Sequence, residues 1–162
     1  MSHPRRILSV ILLCATFGVF SATAAAQSVE IFGGYQYTHL QPAFNASGWN
    51  AAFTKNFKHV LGITGDVSGA YQHDRSAYTY TVGPVVTARL PGVQPFFHAL
   101  FGGISTQNSD DGFAMFLGAG LDVGFRKGIG IRLVQLDWLH TDVADAKRDR
   151  NLRASAGIVL KF

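Results

Sequence analysis

The chain has 162 residues, with 15% charged and 48% hydrophobic side chains, a formal net charge of +4 and a single cysteine. This length predicts one domain, and the hydrophobic content excludes a disordered chain. One cysteine excludes both a disulfide scaffold and a cysteine-based zinc site.

The first predicted element is a secretory signal peptide over residues 1–26. Arg5 and Arg6 give it a positive start, residues 7–20 form an apolar run, and alanines at 24–26 offer a small-residue cleavage site. After this segment, no uncharged apolar run reaches the length of about 18 residues that a membrane helix needs. The sequence therefore excludes a helical membrane protein, but not a membrane protein of another kind.

Removal of this segment would change both the cysteine content and the charge. Cys14 lies inside the apolar run and follows a leucine, so we do not interpret it as a lipid attachment site. The net charge of +4 would fall to +2, because Arg5 and Arg6 are both lost. The remaining basic excess gives little support to nucleic-acid binding.

Residues 27–162 alternate between apolar and polar positions with a period of two, which predicts strands rather than helices. Eight such segments follow one another. They cover residues 28–40, 49–54, 61–71, 78–87, 95–105, 113–123, 129–141 and 152–162. Eight is the smallest number of strands that closes an outer-membrane barrel, and each spanning strand needs about 9–11 residues. The pattern predicts one all-β domain, an eight-stranded antiparallel up-and-down transmembrane barrel.

Two of these strands do not define which face looks inward. Segment 95–105 is apolar on both faces, and only His98 hints at the inner side. In segment 129–141, Arg132 falls on the same parity as the apolar Trp138. Either Arg132 reaches towards lipid headgroups, or a bulge resets the register, and the sequence leaves both readings open.

The connections between strands are predicted to alternate in length. Short turns lie around 55–59, 90–93 and 126–128, whereas longer polar loops lie around 41–48, 72–77, 106–112 and 142–151. Short turns at one end and longer loops at the other are typical of an outer-membrane barrel with both termini in the periplasm. The longer loops are then the predicted surface for partners.

All seven Tyr and Trp residues are predicted to lie on the apolar face, near the long-loop ends of their strands. A ring with one polar tip prefers the boundary between membrane and water. We therefore predict a membrane-interface girdle. It consists of Tyr35, Tyr37, Trp49, Tyr71, Tyr78, Tyr80 and Trp138. A second girdle at the opposite ends is predicted from Phe57, Phe97, Phe125 and Phe162.

The other face of the strands carries charge and is predicted to line the lumen. The predicted lumen charge network is Glu30, Asp66, Asp122, Asp137 and Arg153, with Arg89, Arg126 and Lys161 nearer the periplasmic rim. An eight-stranded barrel is just wide enough for side chains to fill it, and buried charges must pair. We expect salt bridges rather than an ion channel, with the pairing left open. Replacing Asp66 or Asp122 by leucine should lower the stability.

Several segments resemble parts of a known family. Residues 32–37 (FGGYQY) resemble the first strand of small outer-membrane β-barrel proteins of the OmpA-like and OmpX-like, porin-family type. Residues 118–124 (GAGLDVG) and 131–138 (IRLVQLDW) resemble later strands of these barrels. The resemblance covers residues 27–162 and implies a barrel whose last strand is read by the barrel-assembly machinery. The residues that would carry this assembly signal are Ile158, Leu160 and Phe162.

Three functions remain open within this fold. The preferred one is a small non-enzymatic integral outer-membrane barrel with a filled polar lumen, which supports envelope integrity or binds partners through extracellular loops. A narrow pore for small solutes or ions is the alternative. A lipid A-modifying enzyme is the second alternative, but His140, the best candidate base, has no serine close to it in sequence.

No catalytic, cofactor-binding or metal-binding residue is predicted, since Asp110 and Asp111 alone are too few for a calcium site. The expected partners are outer-membrane lipid, lipopolysaccharide and the barrel-assembly machinery, with no nucleic acid, and we expect a monomer. A soluble calycin-like barrel would instead turn its apolar face inward to hold a small ligand.

Overall fold

The computed structural model describes residues 29–40, 44–57, 60–72, 75–106, 109–126, 128–143 and 146–162. They form eight strands, β1 Val29–Leu40, β2 Phe44–Asn56, β3 Leu61–Gln72, β4 Arg75–Thr87, β5 Val93–Thr106, β6 Ser109–Arg126, β7 Ile129–Val143 and β8 Ala146–Lys161. Each strand pairs antiparallel with the next, and β8 pairs with β1, so the sheet closes on itself. The predicted eight-stranded up-and-down barrel is confirmed, whereas the predicted signal peptide, residues 1–26, lies outside the described residues.

The seam between β1 and β8 joins the two ends of the described chain. Its ladder runs from the pair Glu30 and Lys161 to the pair Leu40 and Asn151. Beyond it, the backbone amides of Val29 and Phe162 each donate to the other's carbonyl oxygen, at 3.0 and 2.8 Å. We call this end of the barrel the terminal end, and the end where β1 turns into β2 the hairpin end. No helix in the described part of the chain is long and apolar enough to cross a membrane.

The predicted difference in loop length is wrong. At the hairpin end the strands run through most of the predicted loops. Only residues 41–43, 73–74, 107–108 and 144–145 remain between strands. At the terminal end the intervals are 57–60, 88–92 and 127–128. The error has a physical cause, because ladder hydrogen bonds join backbone groups and a polar side chain does not interrupt them.

The strands turn their apolar side chains outward and their polar side chains inward. On β3, Leu61, Ile63 and Val67 are exposed, whereas Thr64 and Asp66 between them are buried. The same alternation holds around the barrel, where large aliphatic and aromatic side chains remain exposed on the outer wall of every strand. This distribution is the reverse of that of a soluble calycin-like barrel, whose apolar face would point inward.

The two strands with an ambiguous face are both resolved. On β5, Phe96, His98 and Leu100 are buried, so His98 does mark the inner side. On β7 the pairing with β8 shifts between Arg132 and Gln135, and both of these side chains are buried. The bulge, and not an extension towards lipid headgroups, therefore accounts for Arg132.

Candidate functional site: the interior of the barrel

The charged side chains of the interior lie in three groups along the barrel axis. The first, at the terminal end, surrounds Glu30 of β1. Its carboxylate oxygen Oε1 accepts from Lys161 Nζ at 2.9 Å, from Asn56 Nδ2 at 3.0 Å and from Arg89 Nη2 at 3.4 Å. Lys161 also donates to Gln94 Oε1 at 3.2 Å. One carboxylate therefore holds side chains from β2, from β8 and from the segment between β4 and β5.

The second group is built around Arg132 of β7, which is only 7% exposed. Its guanidinium donates twice to Asp122 of β6, with Nε to Oδ1 at 2.7 Å and Nη2 to Oδ2 at 3.0 Å. The rings of Phe32 and Phe96 lie 4.3 and 4.1 Å from the guanidinium carbon. A planar guanidinium suits both contacts, since it forms paired hydrogen bonds in its plane and stacks on aromatic faces.

The third group, which we call the central group, has Arg153 of β8 between two carboxylates. Arg153 Nη1 donates to Asp66 Oδ1 at 2.9 Å, and Arg153 Nε donates to Asp137 Oδ2 at 2.7 Å. Asn50 Nδ2 donates to the other oxygen of Asp66 at 2.8 Å, and His98 Nε2 lies 2.7 Å from Asp137 Oδ1. Because a carboxylate only accepts, the hydrogen of that last bond belongs to His98.

Gln135 joins the second group to the central group. Its Oε1 accepts from Arg132 Nη1 at 2.7 Å, and its Nε2 donates to Asp137 Oδ2 at 2.8 Å. The amide therefore links a cation of one group to an anion of the next. A continuous hydrogen-bonded chain runs from Asp122 through Arg132, Gln135 and Asp137 to the buried Arg153.

An apolar cluster covers the central group on the side of β5, β6 and β7. It consists of Leu100, Ile104, Ala114, Phe116 and Leu139, all buried. The ring of Phe116 lies 4.4 Å from the guanidinium carbon of Arg153. This contact places an aromatic face against the most enclosed cation of the interior and keeps water from that side of it.

The opposite wall, formed by β1, β2 and β8, is lined by small polar groups. Gln36 Oε1, Thr38 Oγ1, Asn50 Oδ1 and Ser155 Oγ are buried and find no hydrogen-bond partner among the described residues. On β4, Thr81 Oγ1 is in the same situation. The interior therefore has a part in which charged side chains pair with one another and a part in which several polar atoms have no partner among the described residues.

A pair of threonines allows a matched test of this division. Thr64 Oγ1 lies 2.8 Å from Thr54 Oγ1, whereas Thr81 Oγ1 finds no partner in the described structure. We expect Thr64→Val to lower the free energy of unfolding by about 1 kcal/mol, because it leaves the buried Thr54 hydroxyl without its hydrogen-bond partner. Thr81→Val should leave it unchanged or raise it. Urea titration of the refolded barrel measures both, and equal losses would contradict the assigned hydrogen bonds.

The five predicted lumen residues all have buried side chains inside the barrel. Asp66, Asp137 and Arg153 meet in the central group, while Glu30 and Asp122 belong to the other two. The role of Arg132 in this network was not predicted, because the bulge moves its side chain to the inner side. The signal available in the sequence was the adjacent apolar pair Leu133 and Val134, which interrupts the alternation. The side chain of Arg126 lies outside the described residues, as does that of Phe125.

The candidate base for lipid chemistry lies elsewhere. His140 is half-buried, and its ring centroid is 6.3 Å from that of Trp138 on the outer wall. In the described ranges, no group of three His, Cys, Asp or Glu side chains is placed to hold a metal ion.

The Tyr and Trp side chains are exposed on the outer wall. They are Tyr35, Tyr37, Trp49, Tyr71, Tyr78, Tyr80 and Trp138. The proposed assembly-signal residues Ile158, Leu160 and Phe162 are exposed too, and among the described side chains Phe162 is the most exposed large apolar one, at 73%.

Comparison with known proteins gives a shared fold without a close relative. No family model and no curated protein matches this sequence. Among solved structures, Neisserial surface protein A aligns with a TM-score of 0.68 and 13% identity, over 87% of this chain and 100% of that one. The outer membrane protein OprG of Pseudomonas aeruginosa aligns at 0.63 and 10%, over 85% and 96% of the two chains.

The attachment invasion locus protein Ail of Yersinia pestis also aligns, with a TM-score of 0.57 and 16% identity, over 85% of this chain and 100% of that one. This chain therefore has the fold of the small eight-stranded outer-membrane barrels. At such identities the similarity extends to the fold alone.

Proposed function

We propose that this chain is a non-enzymatic integral outer-membrane barrel whose interior is closed by ion pairs, and that its role is to stabilise the cell envelope. The observation that carries the proposal is the central group, in which Arg153 reaches from β8 to Asp66 on β3 and Asp137 on β7. These contacts cross the interior of the barrel, and an eight-stranded barrel has little room beside them.

The outer wall supports insertion into a membrane. Large apolar side chains are exposed on all eight strands, an arrangement that water would disfavour and lipid favours. The exposed Tyr and Trp side chains lie towards the hairpin end, which suits a membrane boundary there. We infer that the hairpin end faces outward and the terminal end faces the periplasm, with outer-membrane lipid and lipopolysaccharide around the wall.

The predicted signal peptide over residues 1–26 would bring the chain to the periplasm. There the exposed Ile158, Leu160 and Phe162 of the last strand would be offered to the barrel-assembly machinery. Recognition of a protein partner at the outer surface would use the ends of β6, β7 and β8, the three longest strands, because the connections are short. Ail, one of the structural neighbours, is named for attachment and invasion.

The lumen proposal is tested by electrical recording. The mature barrel, refolded in detergent and checked by its shift in gel mobility on boiling, is added to a planar lipid bilayer. We expect no stable conductance steps, because three groups of paired charges occupy the interior. Regular steps from the wild-type barrel would overturn the closed interior.

The second candidate is a narrow pore, and the polar wall of β1, β2 and β8 favours it. Gln36, Thr38 and Ser155 there could line a thin aqueous path beside the ion pairs. The same recording separates the two functions. A pore along this wall predicts conductance that is lowered by Ser155→Leu, whereas the closed barrel predicts none before or after the change.

A further inference from the structure

The polar-tipped aromatic side chains are unevenly distributed around the outer wall. All five tyrosines and one of the two tryptophans lie on the consecutive strands β1 to β4, and we call this set the aromatic arc. The arc consists of Tyr35, Tyr37, Trp49, Tyr71, Tyr78 and Tyr80. Only Trp138 lies on β5 to β8. Aromatic residues of outer-membrane barrels form girdles at the membrane boundaries, so their clustering on four consecutive strands calls for a further explanation.

Beside both edges of the arc, the neighbouring strand carries small side chains. Ser105 and Gly103 of β5 stand opposite Tyr78 and Tyr80 of β4. On the other edge, Ala154 of β8 stands opposite Tyr37. The strands directly beside the arc, β5 and β8, therefore carry small side chains opposite its rings, and the next exposed ring beyond β5 at this level is Phe113 of β6.

The middle of the arc is held in a fixed arrangement by its own polar tips. Trp49 Nε1 donates to the Tyr71 hydroxyl at 3.1 Å, and that hydroxyl donates to the Tyr78 hydroxyl at 3.4 Å. The Tyr71 and Tyr78 rings meet edge to face, with centroids 6.0 Å apart. Three rings from β2, β3 and β4 thus form one ordered surface.

The border of the arc towards the hairpin end carries side chains that form hydrogen bonds. His39 Nδ1 lies 2.6 Å from Asn45 Oδ1, and Ser47 stands opposite both Tyr37 and Tyr71 in the ladders. Hydroxyl, amide and imidazole groups beside aromatic rings suit a ligand rich in hydroxyl groups. Six charged residues lie in 142–150, on β7, on β8 and between them, whereas Arg75 is the first residue of β4 within the arc.

On the other side, towards the middle of the wall, the arc borders a shallow recess. A Cβ atom added at Gly33 or at Gly65 would meet no described atom within 4 Å. Ala51 stands opposite Gly33 in the ladder. The apolar side chains of Val67, opposite Ala51, and of Phe53, opposite Gly65, border these small residues. At the recess a hydrocarbon chain can therefore approach the backbone more closely than where larger side chains stand.

We propose that the aromatic arc and this recess form a binding site for a glycolipid of the outer leaflet. Its sugar rings would stack on the arc, with their hydroxyl groups bound by His39, Asn45 and Ser47, and one acyl chain would lie over Gly33 and Gly65. The inference rests on the proposed membrane insertion. It is carried by the match between the order of the site, which is hydrogen-bonding groups, then rings, then recess, and the order of groups in a glycolipid.

The two tryptophans provide the test, because Trp49 lies inside the aromatic arc and Trp138 lies outside it. Trp138→Phe leaves Trp49, in the arc, as the only reporter, and Trp49→Phe leaves Trp138. Each barrel is inserted into phosphatidylcholine vesicles, and a glycolipid with a disaccharide headgroup is titrated against a phospholipid with the same acyl chains. We expect a saturable change in emission from Trp49 with the glycolipid alone, and no change from Trp138.

A variant then tests the contact itself. Tyr35→Leu, in the Trp138→Phe background, should weaken glycolipid binding by about threefold to tenfold, because one stacking ring is lost. Phe101→Leu, an exposed ring on β5 outside the arc, should leave the binding unchanged.

Other outcomes would overturn the site. Equal responses of both reporters, or equal responses to both lipids, would show an ordinary membrane boundary. A change in Trp49 emission that follows protein concentration instead of glycolipid would show contact with a second copy of the chain. Failure of the barrel to insert into vesicles at all would contradict the proposed function, and is recognised separately by the absence of a gel shift on boiling.

Discussion

Arg153→Met is expected to lower the free energy of unfolding by about 3–5 kcal/mol. Arg153 is 1% exposed and forms ion pairs with both Asp66 and Asp137, so that its positive charge offsets the two carboxylates. Methionine preserves much of the side chain's volume but leaves two carboxylates buried without their shared cation. Urea titration in vesicles, followed by tryptophan emission, measures the loss.

Two control variants separate charge from packing. Lys161→Met removes a cation from Glu30, which keeps Arg89, so a loss of only about 1 kcal/mol is expected there. The triple variant Asp66→Asn, Asp137→Asn and Arg153→Met should regain most of the stability, because no unpaired charge remains. A single Arg153→Met variant as stable as the wild type would contradict the central group.

Gly118→Ala is expected to cost about 2 kcal/mol or more. A Cβ atom at Gly118 of β6 would overlap Asp137 Oδ1 and lie 2.6 Å from His98 Nε2. The added methyl group must therefore break the bond between these two buried side chains. The comparison is Gly65→Ala on the outer wall, where the methyl group meets no described neighbour.

The readout for this pair is again the free energy of unfolding. We expect Gly65→Ala to stay within about 0.5 kcal/mol of the wild type, since glycine gives a strand no packing advantage. If both alanine variants lost stability equally, the cost would come from the backbone and not from the hydrogen bond of Asp137.

The number of strands and the direction of most side chains followed from the sequence, because a period of two is a local property. Arg132 shows where such reasoning fails. The bulge that moves Arg132 inward inserts an extra position before Gln135, and an alternation counted from Trp138 then places Arg132 on the wrong face. Loop lengths failed for another reason, since backbone pairing near 41–48 and 142–151 continues through polar residues.

The partners of the buried charges could not be predicted from spacing. Arg153 and Asp66 are 87 residues apart and lie on strands that do not pair with one another. Whether their side chains meet depends on the stagger of all eight strands, which accumulates around the barrel. The sequence could say that acids and bases share the inner face, but only the closed structure says which of them bond.

The position of Arg153 on the last strand has a consequence for how the barrel is completed. If β8 slipped by two residues against its neighbours, each of its side chains would remain on the same face of the sheet, so the alternation does not distinguish the two registers. The position of the cation does distinguish them. After such a slip, Asn151 or Ser155 would occupy the place of Arg153, and Asp66 and Asp137 would lose their ion pairs. Closure and charge neutralisation are thus a single event. The ion pairs of the final strand favour the correct register, which the hydrophobic pattern alone does not specify.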